Sequence, residues 1–237
     1  MANAAANIEP TLWPAGFDFA IFDFDGTLSA TEQLWEEVDR AFFSQRGIAY
    51  TADVHQTLAT LGFTGGAAWV REAFGVRDSV EDICDEWNRM GAALYETKAT
   101  LRPGAERYLR ALRRQGVPLA LATTNDPQVL ASMAPRIKVA ELFDAVVCGK
   151  EVGKSKEHPD IYLEAARRIG AKPQRTIVFE DILAGTRSAK SAGFITCAVD
   201  VEGAGQPKAA LRQMANVWLE SWEDIPVYAS GLPVQPC

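Results

Sequence analysis

The sequence predicts an α/β fold, in which helices cover both faces of a parallel β-sheet and a helical segment follows the first strand. Short apolar, β-branched runs alternate with amphipathic helical patterns along most of the chain, which is typical of a helix-covered parallel sheet. The segment 31–99 breaks this alternation, because it contains helical patterns and no convincing buried strand. We therefore expect a Rossmann-like core formed by 1–30 and 100–237, with an all-helical, lid-like cap domain inserted at 31–99.

The predicted strands are short runs rich in valine, isoleucine and phenylalanine, bounded by turn-forming residues. Such runs are expected where a strand is buried on both faces of a sheet. The six predicted strands are 17–24, 117–124, 144–148, 175–180, 194–199 and 216–220.

The helices of the predicted core carry start and stop signals. The patterns 103–116 and 158–170 each have a proline close to the start and a glycine at the end, and 182–193 is a run of small residues that ends at a glycine. Within the inserted segment we expect four helices, covering 31–47, 51–62, 65–75 and 78–98.

Composition bounds the class of protein. The chain has 237 residues, 48% of them hydrophobic and 23% charged, which is enough for a core domain with a smaller insert. The net charge of -7 argues against nucleic acid or an anionic membrane as the main partner. A small anionic ligand stays possible, because a bound cation and a few local bases can reverse the field inside a cleft.

Targeting signals and cysteine usage predict a cytoplasmic protein. The residues 1–14 have no basic region followed by an apolar one, and no apolar run approaches the roughly 18 residues of a membrane span. The cysteines are scattered, without a CxxC pair, which is typical of a reducing compartment. The four cysteines are Cys84, Cys148, Cys197 and Cys237.

Two carboxylates stand at the end of the first predicted strand. Asp23 and Asp25 in AIFDFDGTLSA (20–30) are two residues apart, so they point to the same side of a strand. Burying two close anions is costly unless a cation compensates them. A cation is therefore expected beside them.

The ends of two other predicted strands also carry polar residues. Ligands bind beyond the carboxyl ends of the strands in an open parallel sheet, so these residues are expected at one edge together with Asp23 and Asp25. They are Thr123, Thr124, Asn125, Glu180 and Asp181.

Four ordered motifs resemble those of the haloacid dehalogenase-like (HAD) superfamily, in particular its phosphatases with a helical cap. DFDGTL (23–28) is similar to the first motif of that family and LALAT (119–123) to the second. GKSKEHPDIY (153–162) is similar to the third, and VFEDILAG (178–185) to the fourth. The resemblance implies Mg²⁺-dependent hydrolysis of a small phosphorylated metabolite, such as a sugar phosphate.

The resemblance also implies roles for the residues in these motifs. Asp23 would be the nucleophile and would form an aspartyl phosphate, and Asp25 would be the general acid and base. The hydroxyl of Thr123 and the amide of Thr124 would bind phosphoryl oxygens, together with Asn125. Lys156 would neutralise the phosphoryl group and Asp23.

A magnesium site follows from the same resemblance. The ligands would be the carboxylate of Asp23, the backbone carbonyl of Asp25 and the carboxylate of Asp181, with Glu180 binding directly or through water. Oxygen-only ligands are those that Mg²⁺ prefers. The absence of HExxH and CxxC from the sequence argues against a zinc hydrolase.

Two alternatives to a phosphatase remain open in the sequence. One is a phosphomutase similar to β-phosphoglucomutase, which carries a histidine ten residues after the second aspartate, where this chain has Trp35. The other is a non-catalytic, phospholigand-binding regulator, against which the presence of Asp23, Asp25, Lys156 and Asp181 argues. The sequence leaves the substrate and the oligomeric state open.

Overall fold

A computed structural model describes residues 11–13, 15–201 and 206–227. Within this part of the chain, six strands form one parallel sheet, which confirms the predicted α/β class. The strands are β1 (Phe19–Phe22), β2 (Leu119–Thr123), β3 (Ala145–Cys148), β4 (Thr176–Glu180), β5 (Ile195–Val199) and β6 (Val217–Leu219). Their order across the sheet is β3-β2-β1-β4-β5-β6.

The central strands are buried on both faces. Side chains alternate along a strand, so Phe22 of β1 and Phe179 of β4 stack on one face at a centroid distance of 4.5 Å, while Ile21 and Val178 lie in the core on the other. The strand order reverses between β1 and β4, which is where an open α/β sheet forms its binding crevice.

Three helices form the inserted segment. They are α1 (Glu32–Gln45), α2 (Ala52–Phe74) and α3 (Val80–Lys98). They bury a hydrophobic cluster of their own, with Phe42, Phe43, Ile83 and Trp87 among its most buried members. This cluster supports a separate cap domain at 31–99, although the domain boundaries themselves stay a prediction.

The prediction of two separate helices at 51–62 and 65–75 was wrong, because α2 runs through both. Glycine weakens a helix but does not break it as proline does, and this stretch contains no proline. A Cβ at Gly66 would lie 3.0 Å from Leu58 and 3.7 Å from Trp87. The tight approach at Gly66 is thus to Leu58 of the same helix, while Trp87 of α3 lies at an ordinary van der Waals distance.

The helices outside the insert lie on the two faces of the sheet. The predicted helices at 103–116, 158–170 and 182–193 are present, each shorter than its pattern. The seven helices described here are α4 (Ala105–Arg114), α5 (Pro127–Ser132), α6 (Val139–Leu142), α7 (Gly149–Val152), α8 (Asp160–Arg168), α9 (Leu183–Ser191) and α10 (Lys208–Met214).

The two chain segments that join the inserted helices to the sheet are hydrogen-bonded to each other. The hydroxyl of Ser29 donates to the carbonyl of Thr100 at 2.7 Å, and the backbone N–H of Arg102 donates to the carbonyl of Leu28 at 2.8 Å. The side chain of Arg102 donates to the carbonyl of Gly26 at 2.6 Å, so the exit segment also holds the turn after Asp25.

The described helices include none that is both long and apolar enough to cross a membrane. Cys84, Cys148 and Cys197, the cysteines among the described residues, are free thiols. Cys237 and the residues 1–10, on which part of the localisation argument rests, lie outside the described residues.

We predict that Gly104→Ala destabilises the fold by about 2 to 4 kcal/mol. Gly104 has φ +85°, and a Cβ there would lie 2.8 to 2.9 Å from the backbone of Trp222 and Glu223. Both the left-handed conformation and the clash oppose a side chain. The measurement is the free energy of unfolding from denaturant titration.

Gly116→Ala is the matched control, because Gly116 has φ +76° but no atom within 4 Å of a built Cβ. We expect it to cost only the backbone term, about 1 kcal/mol. Equal losses for the two variants would contradict the packing argument at Gly104.

Candidate active site

The predicted site residues meet at the carboxyl ends of three adjacent strands. Asp23 follows β1, Thr123 ends β2 and Glu180 ends β4, and these strands are neighbours in the sheet. All three side chains are buried, as are those of Lys156 and Asp181. A parallel sheet with this register therefore concentrates carboxylates at a single edge.

Lys156 lies between two of these carboxylates. Its ammonium forms ion pairs with Asp23 and Glu180, and the side chain is only 6% exposed. The hydroxyl of Ser188 on α9 donates to the carbonyl of Lys156 at 2.6 Å, which fixes the loop that carries the lysine. The two carboxylates raise the pKa of Lys156 against the effect of burial, so it stays charged.

Glu180 is fully buried and all its acceptor positions are used by the protein. Its Oε1 accepts from Lys156 and from the hydroxyl of Tyr162 at 2.7 Å. Its Oε2 accepts from the backbone N–H groups of Asp181 at 3.2 Å and Ile182 at 3.3 Å. A carboxylate has about four acceptor sites, so Glu180 has none left for a further partner.

Asp23, Glu180 and Asp181 form a cluster in which one carboxylate oxygen from each residue lies within 4.8 Å of the other two. Gly26 brings the turn after Asp25 against this cluster, because it has φ +78° and a Cβ there would lie 2.6 Å from Cγ of Asp181. Carboxylate oxygens beside a backbone turn are the donors that a hard divalent cation takes. The residues present therefore fit such a cation, with Asp23 and Asp181 as the carboxylates that have acceptor sites to spare.

The charge in the cluster is unbalanced. Burial and the neighbouring Glu180 carboxylate raise the pKa of Asp181 to about 7, although Lys156 and Thr27 oppose this. Burial also raises the pKa of Asp23, with Lys156 lowering it and the nearby carboxylates raising it further. The charge of one ammonium thus does not neutralise the carboxylates around it, and a further cation would balance their remaining negative charge.

Asp25 is held by three hydrogen-bond donors. The hydroxyl of Thr31 at 2.5 Å and the hydroxyl of Tyr95 both donate to Oδ1, and the side-chain amide of Asn125 donates to Oδ2 at 2.6 Å. Burial raises the pKa of Asp25, while the hydrogen bonds from Thr31, Tyr95 and Asn125 lower it. Asn125, which the sequence places on the substrate, here contacts the proposed acid and base.

The end of β2 presents two threonines. Thr123 is buried and its Oγ1 accepts from the backbone N–H of Asn125 at 3.1 Å, which leaves its own proton available for an anion. Thr124 is exposed at the sheet edge. Both positions suit the predicted contacts with phosphoryl oxygens.

Sequence reasoning missed three residues that contact the site. Tyr162 lies within GKSKEHPDIY, so the motif carried the signal, although its role was not assigned. Thr31 lies three residues after the end of the first motif. Tyr95 lies on α3, seventy residues from Asp25, and no local pattern around it indicates this contact.

A cavity of about 190 Å³ lies in the inserted helices. Trp35, Phe63 and Trp87 supply aromatic walls. The polar lining consists of Glu32, Glu36, Asp39 and His55, with no lysine or arginine among the described residues that line it. Trp35 also donates its indole N–H to the hydroxyl of Tyr95 at 2.9 Å, so it connects the cavity to the contacts of Asp25.

Asp39 in this cavity has an altered acidity. Burial raises its pKa to about 7, and the nearby Glu36 carboxylate adds to this, while a hydrogen bond from Tyr50 at 3.3 Å opposes it. The hydroxyl of Tyr50 also contacts Nδ1 of His55 at 2.9 Å. The cavity therefore offers carboxylates and an imidazole beside apolar ring faces.

Comparison with known proteins shows which proteins this chain is similar to. Residues 17–193 match the family model described as haloacid dehalogenase-like hydrolase. A phosphorylated carbohydrates phosphatase from Thermotoga maritima is 31% identical over 173 residues, covering 73% of this chain and 80% of that protein. A probable pseudouridine-5'-phosphatase from Drosophila melanogaster is 32% identical over 219 residues, covering 90% of this chain and 93% of that one.

A solved structure has the same architecture. A mutant CbbY from Rhodobacter sphaeroides, in complex with xylulose-(1,5)-bisphosphate, superposes with a TM-score of 0.73 at 25% sequence identity. The similarity covers 92% of this chain and all of that one. The sheet and the inserted helices therefore share one arrangement with a protein that binds a sugar phosphate.

We predict that Asp39→Asn stabilises the protein at pH 8 relative to the wild type, with little difference at pH 4. The pKa of Asp39 is about 7 when folded, against an ordinary value of 3.8, so its protonated form favours folding. That contribution is complete below about pH 4 and is lost as the pH rises through 7. The difference at pH 8 is expected on the order of 1 to 3 kcal/mol.

The measurement is the unfolding free energy of both proteins from pH 4 to pH 8. Asp53→Asn is the matched control, because it makes the same chemical change at an exposed position of α2. Parallel curves for Asp39→Asn and the wild type would show that Asp39 does not titrate in this range.

Proposed function

The chain belongs to the haloacid dehalogenase-like hydrolases and is a phosphatase of that family, and on this premise we propose that it hydrolyses small sugar phosphates through a phosphorylated Asp23. The observation that carries the proposal is the buried ion pair between Asp23 and Lys156, next to Asp25 with its three donors. This pairs a nucleophile with an acid at one edge of the sheet.

In the first step, an oxygen of Asp23 attacks phosphorus and the bond to the ester oxygen breaks. Asp25 donates a proton to the leaving alkoxide, which departs as an alcohol. Thr123 and the N–H of Thr124 donate to the phosphoryl oxygens. Lys156 holds the attacking carboxylate and offsets the charge on the phosphoryl group.

In the second step, water attacks the phosphorus of the aspartyl phosphate and Asp25 takes the proton from that water. The bond between phosphorus and Asp23 breaks, which returns the carboxylate and releases phosphate. Glu180 does not touch the reacting atoms in this scheme. It positions Lys156, together with Tyr162, because both of its oxygens are already hydrogen-bonded.

We propose Mg²⁺ as the cofactor, held by the carboxylates of Asp23 and Asp181 and by the backbone carbonyl of Asp25. Such an ion, when bound, supplies positive charge to the phosphoryl oxygens and the carboxylates. Glu180 lies in the same cluster but has its acceptor sites occupied, so we assign it to the second layer, where it acts by holding Lys156.

The cavity supports a sugar phosphate as the substrate. Carboxylates accept hydrogen bonds from hydroxyl groups, and ring faces such as those of Trp35 and Phe63 pack against the C–H faces of a sugar. Its acidic lining disfavours a second anionic group at the same place. The relative from Thermotoga maritima, described as acting on phosphorylated carbohydrates, is consistent with this assignment.

A phosphomutase is the second candidate, because the fold is shared with relatives of β-phosphoglucomutase. Trp35 argues against it, since it stands where those mutases carry a histidine. An indole only donates its N–H and cannot pass a proton on, whereas an imidazole can do both.

We predict that the protein releases phosphate from sugar phosphates in the presence of Mg²⁺ and that Asp23→Asn lowers kcat by about 10³-fold or more, because it removes the nucleophile. The measurement is phosphate release from a panel of sugar phosphates, phosphoglycolate and nucleotides, with Mg²⁺ and after chelation. Asp53→Asn is the control for a change of one exposed carboxylate.

The panel separates the parts of the proposal. Release that persists after chelation would refute the role of the metal and leave the other parts of the proposal unaffected. Faster hydrolysis of phosphoglycolate than of sugar phosphates would refute the assignment of the cavity. Isomerisation of glucose 1-phosphate without net phosphate release would favour the mutase.

A further inference from the structure

The inserted helices contribute a side chain to the immediate surroundings of Asp25. Tyr95 is fully buried on α3, and its hydroxyl donates to Oδ1 of Asp25. The hydroxyl in turn accepts from the indole N–H of Trp35 on α1, at 2.9 Å. A chain of two hydrogen bonds thus runs from α1 through α3 to a residue at the end of β1.

The direction of this chain is fixed by chemistry. An indole nitrogen is only a donor, so the oxygen of Tyr95 accepts there and its single proton is directed to Asp25. With Asp25 as a carboxylate, the donors therefore run from Trp35 through Tyr95 to Asp25.

The helices make room for this contact. A Cβ at Gly91, one turn before Tyr95 on α3, would lie 2.7 Å from Cη2 of Trp35. Glycine in the middle of a helix costs about 1 kcal/mol relative to alanine, so its place here is explained by the indole that it accommodates. The ring of Trp35 also contacts that of Tyr95 at a centroid distance of 5.9 Å.

The contact distinguishes the two oxygens of Asp25. Oδ1 accepts from both Tyr95 and Thr31, which uses its acceptor sites, whereas Oδ2 accepts from Asn125 alone. A proton on Oδ1 would clash with the two protons that Tyr95 and Thr31 already donate to it. The proton that Asp25 gives to the leaving group is therefore carried by Oδ2.

From this geometry we infer that Tyr95 is a positioning residue of the inserted helices, which holds Oδ1 of Asp25 so that Oδ2 faces the ester oxygen. The inference rests on the proposed hydrolysis, and it adds a condition to it. The hydrogen bond from Tyr95 exists only while α3 covers the ends of the strands, so Asp25 is fully oriented only under the inserted helices.

The first test compares leaving groups. An alkoxide needs a proton from Asp25 to depart, whereas p-nitrophenolate does not. We expect Tyr95→Phe to lower kcat/KM for glucose 6-phosphate by about tenfold, the loss typical of a hydrogen bond to a charged group, and to change kcat/KM for p-nitrophenyl phosphate much less. Most of the loss is expected in kcat, since the substrate does not touch Tyr95.

Tyr108→Phe is the matched control. Tyr108 is also fully buried, and its hydroxyl makes one hydrogen bond, to the carbonyl of Leu12 at 3.0 Å in the core. Its removal should affect both esters equally. Equal losses on both esters with Tyr95→Phe would overturn the inference, because a structural role alone would then account for the effect.

The second test needs no turnover. Tyr95→Phe is combined with Asp25→Ala, and melting temperatures are measured for the wild type, both single variants and the double variant. In the Asp25→Ala protein the hydroxyl of Tyr95 has lost its acceptor, so Tyr95→Phe should no longer lower the melting temperature. Additive shifts would overturn the inference. A wild type that hydrolyses no ester would refute the proposed function, while this cycle would still decide whether Tyr95 holds Asp25.

Discussion

The concentration of carboxylates at one buried edge of the sheet is the constraint on which the rest of the structure depends. Asp23, Glu180 and Asp181 lie within reach of one ion, and a single lysine lies among them. In a medium of low dielectric constant such an arrangement is unfavourable unless each charge has a partner. The surrounding hydroxyls and N–H groups provide part of this compensation, and the proposed divalent cation would provide the rest.

The inserted helices take part in this arrangement rather than only covering it. They bring Tyr95 to Asp25, and Trp35 belongs both to that contact and to the wall of the cavity. In the proposed scheme, selection of the substrate and orientation of the acid thus share one side chain. A substitution of Trp35 that changes specificity would therefore also be expected to change the rate of the chemical step.

Much of the core could be predicted from local sequence. The runs around Ile21 and Val178 are buried strands because two packed faces require apolar residues at every position, and the motif residues follow directly after them. The continuity of α2 could not be predicted, because a pair of glycines has the same local signal in a helix as in a turn. Burial of Val54, Ala67 and Val70, from both halves of α2, in the cluster of the inserted helices accounts for one continuous helix.

For the site, the sequence by itself determined which groups are present. It also determined that they share one edge, because the groups follow the carboxyl ends of strands that all run in the same direction. Only the tertiary structure decided which groups touch. Three hydrogen bonds at the site join residues from different parts of the fold. Tyr162 donates to Glu180, and Asn125 and Tyr95 donate to Asp25. Their distances depend on how helices pack over the sheet, and contacts between residues 18 to 100 positions apart leave no periodic signal in the sequence.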